Sequence, residues 1–378
     1  MSSRSIAVLL AGTALFVCTS IPAAAIEPDA AAKALGAALV KGSNVEATFE
    51  SAEMDGENIV IANFTIARKS ENSTVTFEEV TITSPTEGDT GVFQSPEIGF
   101  SGGTISGEAS GTIADATLTG VTVLGAGANS GGLTESVLFE TAEANNLQIT
   151  PKEQQGTVTV AHLYMESSNV VDGVPQATKG TVEGITIPPE MFAEAAFKPD
   201  AFGYEKIVLD VSWDGLRDLA AKTATINDFT LSIQDGGDLS IFGVFGELPD
   251  PRTLNDPAAA GNVTKTKVHE LTIRYDDHSL AGRVLDFLAK QQGLARADYA
   301  KQISDALPFL LIALNNPGFQ EQVAAAVSSF LQDPKSLTIE IAPDAPVSGD
   351  DLVALAQTDP GKIPDTLNAS VSANTPAE

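Results

Sequence analysis

The sequence predicts an α+β protein, mainly β, with one long curved antiparallel or mixed sheet, bulged strands and a C-terminal helical cap. Three observations lead there. A short strand signature recurs between residues 61 and 273. Helix-period patterning is confined to residues 28–41 and to the region after residue 279. The chain is 43% hydrophobic and only 19% charged, which supplies enough apolar surface for a sizeable core.

Residues 1–25 read as a secretory signal peptide. Arg4 gives the charged start, Ile6 to Val17 the apolar stretch, and Ala23-Ala24-Ala25 the small-residue cleavage site before Ile26. Cleavage after Ala25 predicts a periplasmic location. A lipoprotein acylated at Cys18 is the alternative, although Val17 is bulky where that processing wants a small residue. Cleavage removes Arg4, the single cysteine and no acid, so 353 of the 378 residues remain and the charge moves from −29 to −30. An exported chain without cysteine must be held by core packing alone. No later stretch reaches the roughly 20 apolar residues that a membrane-spanning helix needs.

Residues 26–250 form the β-rich region, opened by a short helix. Pro28 and Asp29 start that helix, alanine fills it, and Gly42 closes it. The strand signature follows: apolar, any residue, polar or Gly, apolar, Thr, apolar. It reads Ile61-Ala62-Asn63-Phe64-Thr65-Ile66, then Phe77 to Ile82, Leu118 to Val123, Val182 to Ile187, Ile226 to Leu231 and Val268 to Ile273, with a degenerate copy at Ala144 to Ile149. Its apolar residues change parity in the middle. Ile59 and Ile61 share one phase, Phe64 and Ile66 the other, and Val75 and Phe77 switch likewise against Val80 and Ile82. Successive strand side chains alternate between faces, so the switch implies either a bulge that keeps both halves on one core or a strand that changes faces. Residues 88–132 hold 12 of the 32 glycines and little bulk, which predicts either a meander with small side chains on both faces or a mobile loop, with the weakest order of the chain there.

An acidic, Pro- and Ala-containing linker is expected at 251–262, followed at 263–374 by a strand, a three-helix cap and closing strands, and by a disordered tail at 375–378. Ser279 caps a helix that ends at Gly293, and Asp298 to Leu314 makes a second. Phe319, Val323, Val327 and Phe330 stripe a third, stopped before Pro334. Ser348 to Gln357 is a small helix between strands at Leu337–Ile341 and Leu367–Val371.

The charge balance excludes function classes. An acidic chain has no Lys/Arg cluster to neutralise a nucleic-acid backbone, and no basic patch for anionic lipid. Gly99-Phe100-Ser101-Gly102-Gly103 matches the form of a nucleophile elbow, but strand-like residues follow it where the elbow requires a helix. A serine hydrolase using Ser101 with His278 or His162 is therefore the weakest alternative. Asp276, Asp277 and His278 carry metal or acid/base chemistry in principle; the plainer reading is a strand-to-helix junction with Asp277 or Ser279 as cap. No catalytic residue, no metal site and no cofactor is assigned.

One run stands out. Ala306 to Leu314 is apolar all round, and Leu307, Phe309, Leu310, Leu311 and Leu314 are its candidate ligand-contacting residues. It suits a buried helix, the lining of an acyl-chain groove, or a segment that dips into a bilayer face.

The signature, as in Ile226-Asn227-Asp228-Phe229-Thr230-Leu231 leading into Ser240 to Gly246, resembles the strand units of AsmA-like and YdgA-like envelope proteins. The part from Leu271 to the closing strand resembles uncharacterised exported proteins of alphaproteobacteria. The first resemblance implies a long curved sheet with a groove, in families associated with moving lipid across the envelope; it implies no catalytic residues. The expectation is a non-enzymatic periplasmic protein that binds lipid or another apolar ligand in envelope maintenance. The alternative is a structural protein that docks onto an envelope partner through its sheet edges.

Overall fold

The computed structural model describes residues 26–40, 45–69, 72–87, 93–124, 136–153, 155–192, 198–253 and 260–376. The signal-peptide and Cys18 expectations lie outside them. Helix α1 (Pro28–Leu39) opens the chain. Strands β1 (Val45–Thr48), β2 (Ser51–Asp55), β3 (Asn58–Arg68), β4 (Ser73–Thr83), β5 (Phe93–Ser106) and β6 (Ala109–Val123) follow. Next come β7 (Val137–Leu138), β8 (Thr141–Pro151), β9 (Val158–Ser168) and β10 (Ala177–Ile187). After two 3₁₀ turns the sheet resumes with β11 (Ile207–Asp218), β12 (Thr223–Ile233), β13 (Gly237–Gly246) and β14 (Lys267–Asp277). The cap is α2 (Leu280–Gln291), α3 (Arg296–Leu310) and α4 (Pro317–Gln332). The closing part is β15 (Ser336–Ile341), β16 (Val347–Ser348), α5 (Gly349–Thr358), α6 (Ile363–Thr366) and β17 (Ser370–Ala373).

Among the described residues all 17 strands belong to one sheet, and every pairing is antiparallel. From β3 to β15 the strands pair in chain order, as a meander; β7 and β8 share one edge of β6. β1 and β2 lie end to end along the outer edge of β3, and β17 closes the other end against β15. Those terminal strands are four or five residues long, which leaves little free edge for another chain to pair with.

The parity switch keeps both strand halves on one face. Ile59, Ile61 and Phe64 of β3 are all fully buried, and Phe77, Val80 and Ile82 of β4 are buried beside them. Ile61↔Val80 and Phe64↔Phe77 belong to one register, because each strand carries two residues between them. The irregularity of one strand thus faces that of the next. Asn63, Gly120, Asn146 and Gly184, each the third residue of its copy, have left-handed φ values of 51°, 57°, 51° and 65°. Asn and Gly tolerate that region best, which explains the polar-or-Gly position. From β10 onward the irregularities become one-sided bulges, with register shifts at Val182/Ile185, Asp214/Gly215, Ile226/Phe229 and Val244/Phe245.

Two other expectations change. At 93–124 the meander alternative holds and weak order does not, since β5 and β6 are the longest strands; 88–92 and 125–132 lie outside the described residues. The glycines there admit neighbouring side chains: a Cβ at Gly103 would meet Phe77 and Ile113 at 2.9 Å. The buried-helix reading of Ala306–Leu314 also fails. Only Leu307 is buried, while Phe309, Leu310 and Ile312 are 78%, 69% and 70% exposed. Pro308 lies in the last turn of α3, which gives way to a 3₁₀ turn at Leu311–Leu314 and a left-handed Asn315. That end of the cap projects into solvent.

The best-filled core sits at the N-terminal end of the sheet. Ala31, Ala32 and Leu35 of α1 are fully buried against Ile59, Ile61, Phe64, Ile82, Phe93 and Ile98. Each large side chain there contributes about 1.5–3 kcal/mol. A second, smaller core lies under the cap, with Leu285, Ala289, Ala300, Leu307 and Phe330 buried. Phe330 of α4 meets Tyr275 edge-on at 6.0 Å, and Phe287 of α2 meets Phe202 at 5.0 Å.

Candidate ligand-binding face

Residues directly opposite in an antiparallel pair point to the same face, so the pairings trace rows across the whole sheet. One row runs Ile61, Val80, Phe100, Ala116, Ala144, Leu163, Val182, Val211, Leu231, Leu239, Tyr275, Leu337, Ala373. A second runs Ile59, Ile82, Ile98, Leu118, Ala142, Met165, Gly180, Trp213, Phe229, Ile241, Ile273, Ile339, Val371. Both are apolar throughout. The row between them starts at Val60 and from Thr81 onward is mainly polar, running through Gly99, Thr117, Glu143, Tyr164, Thr181, Ser212, Thr230 and Ser240 to Arg274 and Thr338. The sheet is amphipathic across its full width.

Helices cover only the two ends of the apolar face. Between α1 and α2 the described residues contain no α-helix, only short 3₁₀ turns. From β8 to β13 the apolar side chains of both rows are therefore only half-buried, apart from the buried Gly180. This uncovered stretch spans about 24 Å at the usual strand spacing. Contiguous apolar surface of that extent is a candidate interaction site.

Trp213, the only tryptophan, lies at its middle. Gly180 makes room for it: a Cβ there would stand 2.4 Å from indole Cζ2 and 2.4 Å from the Tyr164 carbonyl oxygen. The opposite face is tied by polar contacts. Ser212 donates to Asp228 at 2.9 Å, Asn227 to Asp214 at 2.8 Å, and the Gly184 amide to Asp210 at 2.7 Å.

At one rim the apolar face meets charge. Leu209, Val211, Trp213, Gly215 and Arg217 share one phase of β11, while Asp210, Leu216 and Asp218 on the other phase are exposed. Arg217 is half-buried, and that burial pulls its guanidinium pKa down. It borders a cavity of about 240 Å³ that also includes Lys222, Arg252, Leu248, Pro249 and Asp250. Arg252 holds Asp250 through Nε and Nη2 at 2.6–3.1 Å, and this hydrogen bonding keeps the carboxyl below its ordinary range.

Leu307, Phe309, Leu310, Leu311 and Leu314 lie in the cap, outside the rows of the open face. Leu311 and Leu314 are half-buried and the exposed Phe309 and Leu310 form a tip with Ile312. The open face itself was missed at the level of residues. The signal for it was present: strand after strand from Val45 to Leu248, apolar in both halves, with no helix between to cover them.

The alternative chemistries also have definite places. Ser101 sits inside β5, with no turn into a helix, and its hydroxyl donates to the Glu79 carbonyl at 3.5 Å. It shares a row with Asp115, Asn145 and His162, but three strand steps, about 14 Å, separate it from that histidine. His162 bonds Glu143 at 2.9 Å. At the junction, Arg274 grips Asp276, and Asp277 accepts from Tyr275 and from the Ala281 amide, both at 2.7 Å. Asp277 is thus the capping group, while the Ser279 hydroxyl turns to the Asp235 carbonyl. Burial, followed by this contact with Asp277, raises the Tyr275 phenol above its usual range. Among the described residues no cluster of three His, Cys, Asp or Glu is arranged to hold a metal. No described helix is long and apolar enough to cross a membrane.

A family model described only as "Uncharacterized protein" matches residues 230–374, less than half of the chain. The match begins within β12 and takes in the cap. No curated protein matches the sequence.

Proposed function

We propose that this chain is a non-catalytic periplasmic binding protein that carries an acyl lipid, or a ligand of similar apolarity, on its open sheet face. The observation that carries this reading is the apolar surface between β8 and β13, continuous with the cores at both ends yet covered by no helix among the described residues. Burial of a chain there gains about 25 cal/mol for each Å² of apolar surface removed from water. The acidic exterior gives anionic membranes no purchase, so contact with lipid falls to apolar surface. The exposed tip of Phe309, Leu310 and Ile312 supports a second element of the same reading, a brief dip into a bilayer face.

Docking through sheet edges finds less support, because the terminal strands are short. Trp213 makes the carrier reading directly testable. Titration with brominated fatty acid is expected to quench its emission saturably, and native mass spectrometry of protein from its own envelope should show bound acyl lipid. An unquenched Trp213, together with a lipid-free species holding a specific protein partner, would overturn the reading. Amino-terminal sequencing of the mature protein should begin at Ile26.

A further inference from the structure

We infer that Arg217 receives the anionic group of an amphiphile, a carboxylate or a phosphate, while the apolar part of that ligand lies over Trp213. This rests on the carrier reading and names its ligand class. The β11 phase places Arg217 on the apolar face, and its pairing row continues through Ala224, Phe245 and Val268. Its guanidinium has five donors, yet among the described residues it makes no side-chain hydrogen bond and no ion pair. Asp250 acts on it from a distance and is already engaged by Arg252. Asp218 is likewise occupied, accepting the Ala221 amide at 2.9 Å.

A half-buried cation whose nearest carboxylate is already held by another arginine is costly in a chain with 50 acids to choose from. The adjoining cavity of about 240 Å³ is smaller than a drug-sized pocket and suits a headgroup. Lys222 and Arg252 also line it, alongside the carboxylates Asp172, Asp218 and Asp250, of which Asp250 is held by Arg252 and Asp218 accepts the Ala221 amide. Arg217 lies four residue steps along the strand from Trp213, about 13 Å, and one leaflet's acyl chain spans about 15 Å. An amphiphile held at Arg217 therefore reaches the indole and the rows beyond it.

The test compares dodecanoate, methyl dodecanoate and inorganic phosphate on the wild type, Arg217→Gln and Arg217→Lys, read by Trp213 emission and by thermal shift. Dodecanoate should bind about tenfold or more tightly than its ester. Arg217→Gln should abolish that preference while leaving ester affinity unchanged, which also shows that the variant is folded, and Arg217→Lys should restore part of it. Equal binding of acid and ester, unaffected by Arg217→Gln, overturns the headgroup assignment and leaves the carrier reading standing. Stabilisation by phosphate with no response to dodecanoate identifies a free-anion site and overturns the amphiphile. Binding of neither dodecanoate nor its ester defeats the carrier reading itself.

Discussion

The two halves of the sheet are written in one pattern and meet different fates. In β3 to β6 the apolar residues disappear beneath α1, and Ile59, Ile61 and Phe64 lose all contact with water. In β9 to β13 residues with the same alternation, Leu163, Val211, Phe229 and Leu231, stay only half-buried, with no helix among the described residues lying over them. The strand pattern specifies a face and leaves its cover unspecified. Stability comes from the covered end, and the open stretch retains apolar surface that a ligand can use.

The largest test of that contrast pairs Phe64→Ala with Leu231→Ala. The first should cost about 3–5 kcal/mol as a cavity opens under α1, and the second about 1 kcal/mol, by urea denaturation. Equal losses would mean that the middle is as enclosed as the end. Gly180→Ala should cost about 1–3 kcal/mol, because the new methyl displaces the Trp213 ring. A shift in tryptophan emission should accompany that loss, since the indole must move. Phe309→Ser should change stability by no more than about 0.5 kcal/mol, yet reduce flotation with zwitterionic vesicles while acyl-chain quenching at Trp213 persists. Loss of both signals together would merge the tip and the face into one site.

The smallest effect concerns pH. Asp250 is held low chiefly by its side-chain hydrogen bond to Arg252. Its stabilisation is present above the unfolded carboxylate pKa of about 3.9. It is lost as pH falls through the lower folded value. Asp250→Asn should therefore lower the melting temperature slightly at pH 7, and the difference should shrink on acidification below about pH 4. A difference that grows in acid would place the coupling elsewhere.

Much of the fold was legible because it depends on local chemistry. α1, the strand copies and the three cap helices follow from periodicity, from Pro and Gly stops, and from the Asn and Gly required at left-handed positions. The relation between strands was not legible. That Asn63 lies level with an irregularity in β4, so the register holds, depends on both strands at once. Residues 93–124 misled because small side chains suggested missing core, whereas Gly103 is small to admit Phe77 and Ile113. Ala306–Leu314 misled because an apolar run does not reveal whether anything packs on it. Arg217 gave no signal, since one arginine in an acidic chain looks like an ordinary surface charge until its phase and missing partners are seen.

The meander has a further consequence for how such a protein changes size. From β3 to β15 each strand relies on its neighbours in the chain, as repeats do in a solenoid, so cooperativity should decay along the sheet. Excising one hairpin, β11 with β12, would leave β10 and β13 still running antiparallel. The face would shorten by two strand widths, about 10 Å, while both covered ends kept their own contacts. Reach is thus an adjustable dimension of this architecture, and relatives with more or fewer hairpins would accommodate longer or shorter cargo without a new topology.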